Sequence, residues 1–270
     1  MPLVFSGRLS SLEDSFRVFG MVLAFCLASS ATYILNDYMD MEQDRVHPRK
    51  KSRPLAAGEV SPLIALVMMA AMLVGAFAVG WAITAPASAL ILLAGYLVVQ
   101  LAYSLYLKNV LIIDVLTIAT GFLIRVMAGA AVIDVTVSSW LVLCTFSVSI
   151  LLALGKRRHE VLILNHDAAN HRPVLENYSV VLLDQLVQVV TTSTFIFYCL
   201  YSVRGNPTAG ISAERMMFTI PLVAYGVFRY MYLVYHKVDG GSPTALLLTD
   251  PPLLICTIVW LTACIAIIYS

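Results

Sequence analysis

The sequence predicts an all-α polytopic membrane bundle, and two observations carry that prediction. Apolar residues make up 60% of the 270 and charged ones only 12%, with mean hydropathy +0.87. Soluble domains carry about 25% charged residues, so a water-soluble fold of this size lacks the polar surface to cover itself. The apolar stretches also run unbroken for about twenty residues, the length a helix needs to cross a bilayer. A transmembrane β-barrel, whose strands alternate apolar and polar positions, is excluded on the same ground.

Eight spans follow in order, at about 16–37, 62–83, 87–107, 111–131, 138–155, 177–203, 214–236 and 252–269. The first ends at a polar break beginning Asn36-Asp37. The second opens on Pro62 after a loop containing Pro54 and Gly58, and Pro86 separates it from the third. The fourth and fifth are divided by a short polar connection at 132–137. Pro173 precedes the sixth, Gly205 and Pro207 follow it, and Gly240, Gly241, Pro243, Pro251 and Pro252 punctuate the approach to the eighth. Gly and Pro therefore fall where helices should stop or start. Residues 1–10 have neither a basic start nor a long apolar run, so they do not read as a signal peptide.

Alternating spans divide the loops between two sides. One side holds Arg45, Arg49, Lys50, Lys51, Arg53, Lys108, Lys156, Arg157, Arg158, Arg172 and Lys237; the other holds only Arg8, Arg17, Arg204 and Arg215. Eleven cations against four make the first side cytoplasmic by the positive-inside rule. The two long loops, about 38–61 and 156–176, lie on that side and are rich in ionisable residues, the usual mark of function in a loop. The five cysteines, Cys26, Cys144, Cys199, Cys256 and Cys264, stand singly in apolar stretches without C-x-x-C spacing. They read as small packing residues rather than a disulfide or zinc framework.

The first ionisable constellation runs from Asn36 to Arg53. If the first helix continues for two turns, Asp37, Asp40 and Asp44 share one face with Asn36 beside them. Three carboxylates there repel one another at a helix C-terminus, whose dipole already disfavours anions. Something cationic must compensate. Oxygen ligands of this kind suit Mg²⁺, which usually bridges to substrate phosphates. The competing reading is a solvated acidic turn neutralised by Arg45, Arg49, Lys50, Lys51 and Arg53.

N-D-x-x-D-x-x-x-D at Asn36–Asp44, followed by R-P-L-x-x-G-x-x-S from Arg53, resembles the first signature of the UbiA superfamily of intramembrane prenyltransferases. The resemblance implies a bundle of nine transmembrane helices around a cavity, and a diphosphate substrate bound through Mg²⁺. It makes Asp37, Asp40 and Asp44 the catalytic metal ligands, with Asn36 in the substrate site. This chain begins where the family's first helix would be ending, so the expected fold is UbiA-like, with eight complete helices plus a remnant of a ninth at the N-terminus, forming one domain over 1–270. Either a leading segment is missing from this chain or this member does without that helix.

The second constellation departs from ordinary members of that superfamily. Where a second acidic motif is expected, Gly155–Glu160 reads G-K-R-R-H-E. By itself this is an ordinary positive-inside anchor. With the first motif it suits a substrate carrying more negative charge than a prenyl diphosphate, since Lys and Arg are the natural phosphate partners. L-G-K-R-R-H-E, Gln100–Lys108, Phe122–Gly129 and Arg172–Ser179 together resemble the decaprenyl-phosphate phosphoribosyltransferase subfamily, over nearly the whole chain. That resemblance implies transfer of phosphoribose from phosphoribosyl diphosphate (PRPP) to a polyprenyl phosphate. The expected substrate-binding residues are then Asn36, Arg53, Lys108, Asp114, Lys156, Arg157 and Glu160. The expected partners are the bilayer and the two substrates, without nucleic acid; a homo-oligomer is compatible with the pattern.

Ionisable groups within a span normally face the bundle interior. Asp114 is placed near the inner mouth, within reach of ribose hydroxyls or metal-bound water. Arg125 lies deeper, where an internal partner is at least as natural as substrate. Arg229 can reach an acceptor phosphate or snorkel. Lys108 can hold a phosphate or complement a helix dipole. Tyr103 and Tyr106 fit an interfacial belt, Tyr178 and Asp184 are weaker site candidates, and the five histidines show no metal spacing.

Two other readings compete. A conventional prenyltransferase alkylating an aromatic or other small acceptor is disfavoured by the missing second acidic motif. A transporter would place its site near mid-bilayer and show inverted repeats or broken helices, whereas these carboxylates end a helix at one face. A purely structural membrane module explains neither ionisable loop.

Overall fold

The structure is a computed structural model and describes residues 2–46, 50–164, 173–204, 213–236 and 243–270. Eight long apolar helices are present among the described residues: α1 (Leu12–Met39), α2 (Pro62–Ala82), α3 (Ala87–Leu105), α4 (Ile113–Ala131), α5 (Ser139–Leu164), α6 (Val180–Arg204), α7 (Ile220–His236) and α8 (Pro251–Tyr269). Each is long and apolar enough to cross a membrane, and the chain is a multi-pass membrane protein. Their outward faces carry large apolar side chains such as Leu12 (88% exposed), Trp81 (81%) and Phe19 (70%). A helix apolar all round belongs in lipid.

Local chemistry sets the starts. The Ser11 hydroxyl accepts from the Asp14 amide ahead of α1, whose first turn carries Glu13 and Asp14. Ser61 caps α2 through the Ile64 amide, with Pro62 just inside the helix. Ser138 and Ser179 accept from the amides of Leu141 and Leu182 at the starts of α5 and α6. Asp250 accepts from the Leu253 amide ahead of α8, whose first residues are Pro251 and Pro252. Such side chains satisfy amides a helix leaves orphaned, and proline at the first turn gives up no intrahelical bond.

One predicted boundary was wrong in a way that matters for the site. α5 runs on to Leu164 instead of stopping at 155, so Lys156–Glu160 lie on a helix and not in a loop. Apolarity ends near Gly155, but K-R-R-H-E-V-L-I-L contains good helix formers and no breaker, so the helix continues beyond the apolar zone. The sixth helix starts at Val180, after a short 3-10 turn at Pro173–Asn177. A four-residue helix at Pro2–Phe5 precedes α1.

The chain divides into two compact units. The first comprises Leu9–Tyr106 with Ile124–Val135. In it α1 packs on α2 and α3, and Gly20 permits the approach: a Cβ there would lie 2.5 Å from Ile83 Cγ2. The second comprises Met1–Arg8, Leu107–Leu123 and Thr136–Ser270. Here α5 packs on α6, and α7 on α6 and α8. Val115, Leu151, Leu154, Leu183, Val187, Leu233 and Val234 form its core. Phe5 is buried in a separate cluster with Tyr198, Tyr201, Met216 and Cys264. The five cysteines are free thiols.

Candidate functional site

The first ionic cluster lies in the first unit, at the C-terminus of α1. The helix ends at Met39; Asp40 caps it, its amide bonded to the Asn36 carbonyl, and a short helix Met41–Val46 follows. The Asp44 amide bonds the Asp40 carbonyl at 2.8 Å. The turn therefore continues almost unbroken, as the aspartate spacing requires.

The side chains divide in two. Arg53 Nη1 donates to Asp37 Oδ1 at 2.8 Å and to Asp44 Oδ2 at 2.7 Å, so one guanidinium nitrogen bridges two carboxylates. Asp44 is 2% exposed, a buried carboxylate that requires a cation. Asp40 instead accepts from Asn36 Nδ2 at 3.1 Å. Among the described residues no group of three or more His, Cys, Asp or Glu side chains is gathered for a metal ion. The expected triad is thus present as a converging pair, Asp37 and Asp44, with Asp40 turned to Asn36. Two converging carboxylates around a cationic centre are the hard oxygen donors that Mg²⁺ accepts.

The second cluster lies in the second unit, where the basic run of α5 is spent on acids. Arg157 Nε donates to Asp114 Oδ2 at 2.7 Å and its Nη1 to Glu160. Tyr178 donates its hydroxyl to Asp114 Oδ1 at 2.7 Å and accepts from the Ile112 amide at 2.9 Å. Burial first, and then the bond to Asp114, push the Tyr178 phenol above its ordinary range, so it remains a neutral donor. Arg158 turns the other way: Nε meets Asp184 Oδ1 at 2.6 Å and Nη1 the Val234 carbonyl at 2.9 Å, with the Tyr235 ring 4.3 Å away. The two arginines tie α5 to α4, α6 and α7.

Arg157 is 2% and Asp114 0% exposed. Both were expected in the substrate site, and the structure places them in a buried ion pair with each other. Glu160 caps the same guanidinium. Lys156 is exposed, and Lys108 is half-buried on the short turn Leu107–Asn109. That turn packs against Pro173–Asn177.

Ile112, just ahead of α4, has φ +68°. A β-branched residue rarely adopts that conformation, and the Tyr178 hydroxyl holds its amide there.

The remaining candidates have structural partners. Arg229 forms a two-pronged pair with Asp250 at 3.0 and 2.7 Å rather than waiting for a phosphate. In the first unit Arg125 donates to Tyr96 Oη at 2.7 Å and Ser29 Oγ at 3.3 Å, and Gln100 Nε2 donates to the same phenol. That is the internal partnership expected of a cation inside a span. His47, Arg49, Asp167, His166, His171, Arg172 and Lys237 lie outside the described residues.

Sequence reasoning missed three features: Asp250 as the partner of Arg229, Asp184 as that of Arg158, and the left-handed turn at Ile112. Only the first had a local signal, since Asp before Pro-Pro at a helix start is a capping pattern.

The chain is a helical membrane bundle whose early helix ends in an Asn-Asp cluster. The profile of the UbiA prenyltransferase family matches residues 5–249, and the chain belongs to that family.

Within it, the chain is 32% identical over 254 residues to the decaprenyl-phosphate phosphoribosyltransferase of Mycolicibacterium smegmatis, spanning 92% of this chain and 79% of that protein. The protein of the same description from Mycobacterium tuberculosis is 30% identical over 259 residues, 94% of this chain and 82% of its own. Among solved structures, a UbiA homolog from Archaeoglobus fulgidus bound to GPP and Mg²⁺ has the same fold, with a TM-score of 0.73 at 17% identity, covering 100% of this chain and 94% of that one.

Proposed function

We propose that this protein transfers the 5-phosphoribosyl group of PRPP to a polyprenyl phosphate, releasing pyrophosphate, at the cytoplasmic face of a bacterial-type inner membrane. The observation that carries the reading is the pairing in the second unit. Among the described residues, Asp114, Glu160 and Asp184 are taken up by Arg157 and Arg158 of the basic run. Among the described residues these acids are not assembled as a second metal motif. Lys156 is presented to solvent beside them. A phosphate-rich donor suits this arrangement, and two relatives at 32% and 30% identity over most of the chain carry the matching description.

Mg²⁺ held by Asp37, Asp44 and Asp40, with Asn36 beside them, would supply Lewis-acid stabilisation of the leaving pyrophosphate. Arg53 in the first unit, and Lys108 and Lys156 in the second, are the cations suited to charge-assisted hydrogen bonds with phosphate oxygens. Asp114, Tyr178 and Glu160 fix Arg157 and hold the start of α4 and the inner end of α5 in register. The acceptor phosphate is already ionised near neutral pH, so no strong general base is needed to generate its nucleophilic oxygen.

The test is incubation of purified protein with PRPP, Mg²⁺ and decaprenyl phosphate, followed by mass analysis of the lipid fraction. The expected product is decaprenyl phosphate increased in mass by one phosphoribosyl group. A chain that ignores PRPP but consumes labelled prenyl diphosphate in a parallel reaction with an aromatic acceptor is instead a conventional prenyltransferase.

A further inference from the structure

The guanidinium of Arg53 lies between Asp37 and Asp44, and we infer that it is a tethered place-holder for a divalent ion. It excludes the free ion, and it yields the carboxylates when the ion arrives already chelated to a diphosphate. The inference rests on the metal-diphosphate reading above and adds an order to it: the site selects the metal chelate over the bare metal.

Three observations support it. The bridging is by a single nitrogen, Nη1, at 2.8 and 2.7 Å from one oxygen of each acid. This is the geometry of one cation shared by two carboxylates, and not of two separate surface pairs. The acids are unequally buried, Asp44 at 3% side-chain exposure and Asp37 at 32%. A compensating cation therefore matters more to Asp44 than to Asp37, because an uncompensated buried carboxylate is costly.

The third observation is the anchoring of Arg53. Its carbonyl accepts from the Ala57 amide at 2.8 Å, and the Pro54 carbonyl accepts from Glu59 and Val60. Gly58 at φ +77° allows this turn to close, and Leu55 is buried beneath it. The backbone is thus fixed while the long, flexible Arg53 side chain is 35% exposed. It can leave the carboxylates without the turn unfolding.

The charge balance gives the direction of exchange. Two carboxylates and one guanidinium sum to −1, whereas two carboxylates and a divalent ion sum to zero. The displaced guanidinium then needs an anion within its tether, and a diphosphate oxygen is a stronger partner for Arg than water. A bare ion brings no such anion, so its binding must meet the cost of leaving Arg53 unpaired. An ion chelated by diphosphate provides both partners together.

The test measures Mn²⁺ binding by electron paramagnetic resonance on purified full-length protein, without PRPP. Arg53→Gln, with Arg53→Met as a second variant, should bind Mn²⁺ roughly tenfold more tightly than wild type. Arg53→Lys keeps the charge and should stay near wild type. Adding PRPP should strengthen Mn²⁺ binding greatly in wild type and much less in R53Q.

Equal or weaker Mn²⁺ affinity in both charge-removing variants, each verified as folded by size-exclusion chromatography, overturns the proposal. So does tight binding in R53Q that persists after Asp37→Asn, because the ion would then sit elsewhere. The first measurement contains no PRPP, so it stands or falls separately from the transferase reading.

Discussion

Arg157 and Asp114 form an ion pair sealed from solvent: Nε lies 2.7 Å from Oδ2, and the side chains are 2% and 0% exposed. A pair of this kind adds little net stability over a well-packed apolar pair, because each charge gives up its hydration. Breaking it from one side is different, since the remaining charge is left buried. Asp114→Ala should therefore destabilise the protein by about 3–5 kcal/mol, read as a large drop in thermal midpoint in detergent. The double variant Asp114→Leu with Arg157→Met should recover much of the loss. A single variant as stable as wild type would mean that Arg157 is not held by this carboxylate.

The same pairing shows what a sequence can and cannot express. The eight spans were legible because each is an apolar run of helical length bounded by Gly, Pro or a capping Ser or Asp. The Asn36–Asp44 cluster was legible because i+3 and i+4 spacing puts acids on one helix face. Its cation was not so readable. Arg53 stands sixteen residues from Asp37, and five neighbouring cations were equal candidates on paper. Arg158 and Asp184 are 26 positions apart, and Tyr178 and Asp114 are 64. No local period encodes partnerships of that range; helix packing selects them. The end of α5 was misplaced because apolarity marks where a helix leaves the membrane zone, not where its hydrogen bonding stops.

The aspartate cluster supports a direct test of metal chemistry. Asp37→Ala should lower turnover roughly 10³-fold or more, the size expected when several kcal/mol of charge stabilisation is lost. Its folding, followed by size-exclusion profile, should be retained, because Asp37 is partly exposed. Chelation of divalent ions by EDTA should silence the wild type, and Mg²⁺ should restore it. Near wild-type turnover by a folded Asp37→Ala protein would remove the metal assignment.

Lys156 and Arg157 are adjacent in sequence but opposite in exposure, so their variants should separate. Lys156→Ala should leave the thermal midpoint within experimental error and raise KM for PRPP by roughly 10-fold or more, the worth of one hydrogen bond to a charged group. Arg157→Ala should lower the midpoint strongly whatever it does to KM. Equal effects on both readouts in the two variants would mean that α5 presents this run differently.

Tyr178 joins two constraints in one hydroxyl: it donates to Asp114 and accepts from the strained Ile112 amide. Tyr178→Phe keeps the ring and removes both bonds, so it should cost about 1–3 kcal/mol. Ile112→Gly acts in the opposite direction on the backbone, because glycine adopts φ near +68° without steric penalty. It should be neutral or mildly stabilising in spite of the lost side chain, which is exposed. The combination decides the mechanism. If the phenol holds the turn against strain, Ile112→Gly should recover part of the stability lost in Tyr178→Phe, and KM for PRPP should recover with it, since Lys108 rides on the same segment. If the phenol serves only Asp114, the two changes are independent and their free energies add. A thermal-unfolding double-mutant cycle, repeated on KM, distinguishes the two outcomes.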